Sequence, residues 1–228
     1  MPYHWSLNEE TWRGRSYHGC LRVCLNLLMK EKPSLESKIL DAGCGDGFLL
    51  SKLKKRGLIN LYGVDYSERA IAFARLLVPG VEFCVDRLEV ASYPDNFFDA
   101  VFLVDVLEHI LPEEAGAVLK NIYRVLAKDG FLIISVPSII EPINRKHFQH
   151  FSEGSMKLLV DDFFVAKKII GQDKKSFAAL FYKFLDNRFW KIKKLSHWYN
   201  MNIWPKFFNE CHPSVAKKLI FLYRKKPT

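Results

Sequence analysis

Three glycines and an acid occupy alternate positions in one short stretch, residues 38–50 (KILDAGCGDGFLL), as Asp41, Gly43, Gly45 and Gly47. Glycine leaves space for a ligand against the backbone and permits positive φ, so the N–H groups of such a turn can close on a polar cofactor. A dinucleotide site needs the spacing G-x-G-x-x-G, which this stretch lacks. The turn therefore predicts a nucleotide-like cofactor other than a dinucleotide.

Two further acids end apolar segments later in the chain. Asp65 closes residues 61–65 and lies 18 residues past Gly47, a spacing suited to a carboxylate that accepts ribose hydroxyls. Asp86 follows residues 81–85 and could accept from the exocyclic amine of an adenine. For both acids the alternative is a surface turn. The remaining neighbours expected around the cofactor are Cys44, Tyr66 and Arg87.

Three histidines are candidates for proton transfer. His109 comes shortly after an apolar run that ends at residue 104, and His147 and His150 follow further along. The pKa of histidine lies near neutrality, which fits a general base. The alternative is a structural role, in which these side chains pack near the cofactor or anchor the start of the helix after Phe151.

Apolar runs that alternate with helical patterns predict the elements that position these residues. Strands are expected over 38–41, 61–65, 81–85, 97–104, 131–136, 163–170 and 217–223, and helices around 21–29 and over 48–55, 70–77, 113–126 and 153–160. Lys128-Asp129-Gly130 is expected to end the fourth of these helices. Such alternation predicts an α/β fold with a largely parallel sheet and ligands at the carboxyl ends of the strands.

A chain of 228 residues is expected to form one domain, over residues 1–228. Its five cysteines are scattered, which argues against a disulfide framework or a thiolate zinc site. No apolar run is long enough for a leader or a membrane span, so a cytoplasmic protein is predicted.

The excess positive charge is confined to the end of the chain. Residues 174–228 hold 13 Lys/Arg and 2 Asp/Glu, a net charge of +11, and 13 of the 32 aromatic residues. Residues 174–212 are therefore expected to form a helical insertion before the last strand. It could be a lid over the site, a surface for anionic headgroups or a lipid-linked substrate, or a nucleic-acid contact.

Four segments together resemble class I S-adenosylmethionine (SAM)-dependent methyltransferases. The glycine turn is similar to their first motif, residues 93–109 to motif IV, residues 125–135 to their helix-to-strand element, and residues 145–152 to the H-x-x-H-F-[ST] segment of small-molecule and glycan methyltransferases. Residues 215–226 also look like that group's last strand. Two departures are the missing proline and first glycine at 128–130 and the missing glycine before Asp86.

The resemblance implies a Rossmann-like seven-stranded, mostly parallel sheet with an antiparallel last strand, SAM as cofactor and S-adenosylhomocysteine as product. It implies that the turn from Asp41 to Gly47 holds the methionine portion, Asp65 the ribose and Asp86 the adenine. Val104 and Asp105 would line the sulfonium side. His109, with His147 or His150, would assist the acceptor.

A metal is a further alternative within this resemblance. Asp105-x-x-Glu108-His109 with a later histidine resembles the E-x-x-E-H…H metal constellation of ubiquinone-pathway O-methyltransferases and small-RNA 2′-O-methyltransferases. The D-V-L-E-H sequence is also widespread in members without a metal, so no metal ligand is predicted.

The function expected is O-methylation of a hydroxyl on a small-molecule, glycan or lipid-linked acceptor, with peripheral membrane contact as one option. No Asn-Pro-Pro-Tyr follows the fourth strand, which disfavours methyltransferases directed at DNA amino groups or protein glutamine. The alternatives are an RNA methyltransferase, and a non-catalytic module that binds SAM without turnover.

Overall fold

The computed structural model describes residues 2–7, 9, 11–174, 198, 202 and 210–227. Within these ranges one eight-stranded sheet carries five α-helices. The strands are β1 Ile39–Ala42, β2 Leu61–Asp65, β3 Glu82–Val85, β4 Phe98–Val104, β5 Leu126–Pro137, β6 Phe164–Lys174, β7 Glu210–Cys211 and β8 Ala216–Lys225. The helices are α1 Trp12–Lys30, α2 Phe48–Lys54, α3 Glu68–Leu77, α4 Pro112–Val125 and α5 Glu153–Val160.

The strand order is β3-β2-β1-β4-β5-β8-β6-β7. Strands β1 to β5 pair in parallel, and β8 runs antiparallel to both β5 and β6. The α/β class, the mostly parallel sheet and the antiparallel last strand are confirmed. The strand count of seven was wrong, because a two-residue strand, β7, pairs antiparallel with β6 through Gly171 and Gln172.

Strand β5 begins earlier than its sequence suggests. Leu126 is fully buried and already pairs with Phe98 of β4, so the helix ends at Val125 and residues 128–130 lie inside the strand. The Asp129 carboxylate forms an ion pair with the Arg224 guanidinium of β8 at 2.5 Å. The polar triplet is therefore the exposed start of a strand, because pairing across the sheet replaces the predicted turn.

Helix starts follow their local capping chemistry. The Ser67 hydroxyl accepts from the N–H of Ala70 at the start of α3, and Ser152 caps α5 with Ser155 in a reciprocal pair. Helices α1 and α2 pack on one face of the sheet, and α4 and α5 pack on the other. Because β1 pairs in parallel with β2 and β4, the carboxyl ends of these three strands lie at one rim of the sheet.

The insertion expected over 174–212 falls almost wholly on residues outside those described. Its helical character and the single-domain boundary over 1–228 stay predictions. No helix among the described residues is long and apolar enough to cross a membrane.

Candidate functional site

The glycine turn leaves β1 and enters α2 through three residues with positive φ. Gly43, Gly45 and Gly47 have φ of 81°, 52° and 75°. The N–H groups of Gly43 and Cys44 both donate to the carbonyl of Val64, at 2.8 and 3.0 Å. The turn is thus fixed against β2, and its conformation requires glycine.

Gly43 is the position where a side chain fits least. A Cβ there would lie 2.5 Å from Cγ2 of Val106, in addition to the strain of its positive φ. We expect Gly43→Ala to destabilise the protein by about 1–3 kcal/mol, as measured by urea unfolding. Gly116→Ala is the matched control, because Gly116 lies in helix α4 and no atom of the described residues lies within 4 Å of its added Cβ. That control should be neutral or stabilising by about 0.5–1 kcal/mol. Equal losses in the two variants would contradict the expectation.

Three carboxylates surround this turn. Asp41 and Asp46 are buried, and Asp65 is half-buried at the end of β2. Burial, with the nearby charges of Asp65 and Asp46, raises the pKa of Asp41 to about 8. A positively charged ligand bound here would favour the ionised form of Asp41, so the site suits a ligand that carries positive charge.

Residues near the start of the chain lie against the turn. The backbone N–H of His4 donates to Oδ2 of Asp46 at 2.7 Å, and its Nδ1 lies 2.9 Å from Oδ1. The indole N–H of Trp5 donates to the Asp46 carbonyl at 3.1 Å. The His4 ring stacks on Tyr17 of α1 at 4.7 Å between centroids. These residues therefore cover one side of the turn.

The carboxylate of Asp65 holds the turn as well as facing it. Its Oδ2 accepts from the N–H of Gly45 and its Oδ1 from the N–H of Ser67, each at 2.9 Å. Tyr66, the next residue, is 80% exposed. The structure thus brings Asp65 directly onto the glycine turn, while the Tyr66 ring points into solvent.

Asp86 follows β3 at the same rim, and its backbone N–H donates to the carbonyl of Asp65 at 3.2 Å. Its Oδ1 accepts from the N–H of Arg87 at 2.8 Å. The exposed Arg87 guanidinium forms ion pairs with Glu89 and with Glu114, the latter at 3.3 Å. Asp86 thus lies beside Asp65, whereas the Arg87 charge is directed to two other acids.

Asp105 follows β4 with a φ of 56° and forms a half-buried ion pair with Lys218 of β8. Its Oδ1 also accepts from the Ser135 hydroxyl at 2.5 Å. Burial alone would raise the pKa of Asp105, but the Lys218 charge and these hydrogen bonds lower it below the usual range. Both oxygens of Asp105 are therefore engaged. Val104, the last residue of β4, is half-buried beside it.

The histidines form a connected group. His109 Nδ1 lies 2.8 Å from the Lys146 carbonyl, and the rings of His109 and His147 meet edge to face at 4.9 Å. His147 Nδ1 lies 2.8 Å from His150 Nε2, and His150 Nδ1 lies 2.9 Å from the Glu141 carbonyl. Since carbonyls only accept, Nδ1 of His109 and Nδ1 of His150 carry the protons.

This assignment leaves Nε2 of a neutral His109 with its lone pair at an exposed side chain. Burial, with the neighbouring His109 and His150, lowers the pKa of His147 to about 4. His147 is therefore neutral near pH 7, and His150 has both ring nitrogens bonded. His109 is the histidine of this group best placed to accept a proton.

A divalent ion would find donors here. Glu108, His109 and His147 each offer one ligand atom within 4.8 Å of the others. Glu108 is buried, and its Oε2 has no hydrogen-bond partner among the described residues. These three side chains could therefore bind a divalent ion. Asp105 is not available as a fourth ligand, because its oxygens already bind Lys218 and Ser135.

Sequence reasoning missed several residues of the site. Asp46 lies between Gly45 and Gly47, so the sequence already placed a carboxylate in the glycine turn. Lys218 directly precedes the apolar run 219–223 of the last strand, so its charge could be expected to have a partner at the edge of the core. Nothing in the sequence indicates that His4 and Trp5 lie on Asp46, since some forty residues separate them.

Comparison with known proteins places this site in context. A family model described as a methyltransferase domain matches residues 40–134. A "Probable S-adenosylmethionine-dependent methyltransferase" of Mycobacterium tuberculosis is 30% identical over 144 residues, 58% of this chain and 50% of that protein. A ubiquinone biosynthesis O-methyltransferase of Neisseria meningitidis is 29% identical, over 43% of each chain.

A phosphoethanolamine N-methyltransferase of Arabidopsis thaliana is 32% identical over 47% of this chain and 22% of that protein. The chain spans about half the length, or less, of the curated relatives it matches. A solved SAM-dependent methyltransferase from Archaeoglobus fulgidus superposes with a TM-score of 0.66 at 20% identity, over 98% of this chain and 100% of that one. That likeness shows a shared fold.

Proposed function

We propose that the chain acts as a class I SAM-dependent methyltransferase with SAM as cofactor, and that it transfers the methyl group to a hydroxyl oxygen. The acceptor we propose is a small molecule, a glycan or a lipid-linked metabolite. The observation that carries the proposal is the fixed tautomer of His109, whose Nε2 lone pair is available at an exposed ring.

The cofactor roles follow from charge. SAM carries a sulfonium and an ammonium group, and the carboxyl groups of Asp41, Asp46 and Asp65 lie around the glycine turn, where a bound cation would favour the ionised form of Asp41. We propose that the turn and Asp41 receive the methionine portion, with Asp65 toward the ribose and Asp86 toward the adenine. This places the methyl carbon toward the end of β4, where Val104 and Asp105 lie.

An acceptor hydroxyl must lose a proton as its oxygen attacks the methyl carbon. His109 is suited to take it, because the Lys146 carbonyl orients the ring and the unprotonated Nε2 accepts. His147 packs its edge against this ring and keeps it in place. A neutral amine acceptor would need such a base less, because its nitrogen lone pair can attack the methyl carbon without prior loss of a proton.

We expect His109→Gln to lower kcat by about 10²- to 10⁴-fold and to leave SAM affinity unchanged. The measurement is transfer of labelled methyl from SAM into separate small-molecule, lipid and RNA pools, alongside calorimetric titration of SAM. His212→Gln is the matched control, because His212 is exposed and only caps the short turn before β8. Unaltered transfer in His109→Gln would contradict the base role.

The pools also separate the alternatives. Label found mainly in RNA would support an RNA methyltransferase, and SAM binding without transfer into any pool would support a non-catalytic module. Activity that survives a chelator would remove the divalent-ion alternative at Glu108, His109 and His147. Cytoplasmic localisation and peripheral membrane contact stay predictions.

A further inference from the structure

The end of β6 carries two buried polar residues outside the site described so far. Gln172 is 0% exposed and Asp173 is 1% exposed. Gln172 Nε2 donates to the Ser16 carbonyl of α1 at 3.0 Å, and Asp173 Oδ2 accepts from the Ser16 hydroxyl. One residue of α1 therefore orients both side chains.

Each side chain has one acceptor atom left over. The Ser16 carbonyl can only accept, so the amide nitrogen of Gln172 must face it and Oε1 faces away. Gln172 Oε1 and Asp173 Oδ1 are both buried without a hydrogen-bond partner among the described residues. Buried polar atoms in folded proteins are nearly always paired. Two orphan acceptors on adjacent residues, both oriented by Ser16, are consistent with a donor supplied by a ligand.

The backbone supports the same conclusion. Asp173 adopts a φ of 59°, which is uncommon for a residue other than glycine. This conformation brings Asp173 to the same partner as Gln172, although neighbouring residues of a regular strand face opposite sides. Strained conformations of this kind gather at ligand sites.

The two residues lie on the rim that carries the methyl-transfer site. Gln172 pairs in register with Lys218, and Lys218 forms the ion pair with Asp105 after β4. From β4 to β6 the sheet crosses β5 and β8, which at about 4.8 Å per strand amounts to about 14 Å. The orphan acceptors are thus within reach of the far end of an acceptor molecule whose near end meets the methyl group.

The charges nearby define the kind of donor. Arg15, Lys217 and Lys218 act on Asp173 as positive charges, and Asp105 already offsets Lys218. Gln172 and Asp173 are also buried, so a charged donor would lose its hydration on binding there. A cationic donor would be repelled, whereas a hydroxyl or an amide N–H meets no such penalty.

We propose that Gln172 and Asp173 form a distal subsite that binds a neutral hydrogen-bond donor, a hydroxyl or amide N–H, on the methyl acceptor. The proposal rests on the proposed function and identifies a second polar group on its substrate. The residues act in recognition, so their loss should raise KM for the acceptor more than it lowers kcat.

The test is a chemical-shift titration of the full chain saturated with S-adenosylhomocysteine. Four probes are added at millimolar concentrations: glycerol, acetamide, methylammonium and inorganic phosphate. We expect glycerol or acetamide to shift the Gln172 side-chain amide, and methylammonium and phosphate to leave it unchanged. Asp173→Asn should abolish the shift, because its amide oxygen keeps the hydrogen bond from the Ser16 hydroxyl and an NH2 group then replaces the unpaired carboxylate oxygen. Asp162→Asn, the same change at an exposed residue in the turn before β6, should retain it.

A shift with none of the probes would overturn the proposal and leave an ordered water as the partner of both acceptors. A larger response to methylammonium or phosphate would also overturn it, since the subsite would then select charge. Failure of S-adenosylhomocysteine to bind would instead refute the proposed function. The two failures are therefore distinguishable.

Discussion

Asp41→Asn is expected to weaken SAM binding and to stabilise the cofactor-free protein. A charged hydrogen bond to the ammonium group contributes about 1.5–3 kcal/mol, so the Kd of SAM should rise by about 10- to 100-fold. In the absence of SAM, the same carboxylate is buried beside Asp65 and Asp46 and is unfavourable when ionised. Calorimetric titration and urea unfolding measure the two effects on the same protein samples.

The pH dependence of the stabilisation follows from the sign of the pKa shift. The folded pKa of Asp41 is about 8 against an ordinary 3.8, so the folded state holds a proton that the unfolded state has lost between these values. Stability of the wild type therefore falls with rising pH in this window, by at most about 1.4 kcal/mol per pH unit from this group. Asp41→Asn removes that fall. A variant that loses stability at about pH 8 relative to the wild type would contradict the account.

Lys218→Met is expected to destabilise the protein by about 1–3 kcal/mol, because it leaves the half-buried carboxylate of Asp105 without its counter-charge. The double variant Asp105→Asn/Lys218→Met removes both charges and should recover most of the loss. The matched control is Lys167→Met, which removes a partly exposed pair with Glu31 at 2.9 Å. That control should change stability by about 0–1 kcal/mol.

Urea unfolding of the three variants measures these values. The Asp105 contribution should be present near neutral pH and be lost in acid, as the pH falls through its lowered folded pKa. If Lys218→Met and Lys167→Met lose equal stability, the Asp105–Lys218 pair contributes no more than an exposed surface pair.

Much of the fold was predictable because its strands are short apolar runs with clear boundaries. The strand over 61–65 and the helix over 153–160 are as expected. Strand β5 was not, since its polar start at 128–130 is typical of a turn and only pairing with β4 and β8 makes it a strand. The two-residue β7 is too short to leave a periodic pattern.

The site divides in the same way. Asp41, the glycines and Asp65 are close in sequence or follow adjacent strands, so topology alone brings them together. Lys218 and Ser135 reach Asp105 from strands distant in sequence, and His4 reaches Asp46 from a segment without strong periodicity. Such contacts depend on how the folded chain packs. The sequence could indicate only that a charged residue, Lys218, lies next to the apolar run 219–223.

The most direct test of the central claim is a calorimetric titration of the full chain with SAM, with NAD as the competing ligand. If the turn from Asp41 to Gly47 holds SAM, the wild type binds one SAM per chain, NAD does not displace it, and Asp65→Ala loses most of the affinity. A folded wild type that does not bind SAM, or an Asp65→Ala variant with unchanged affinity, would contradict the account.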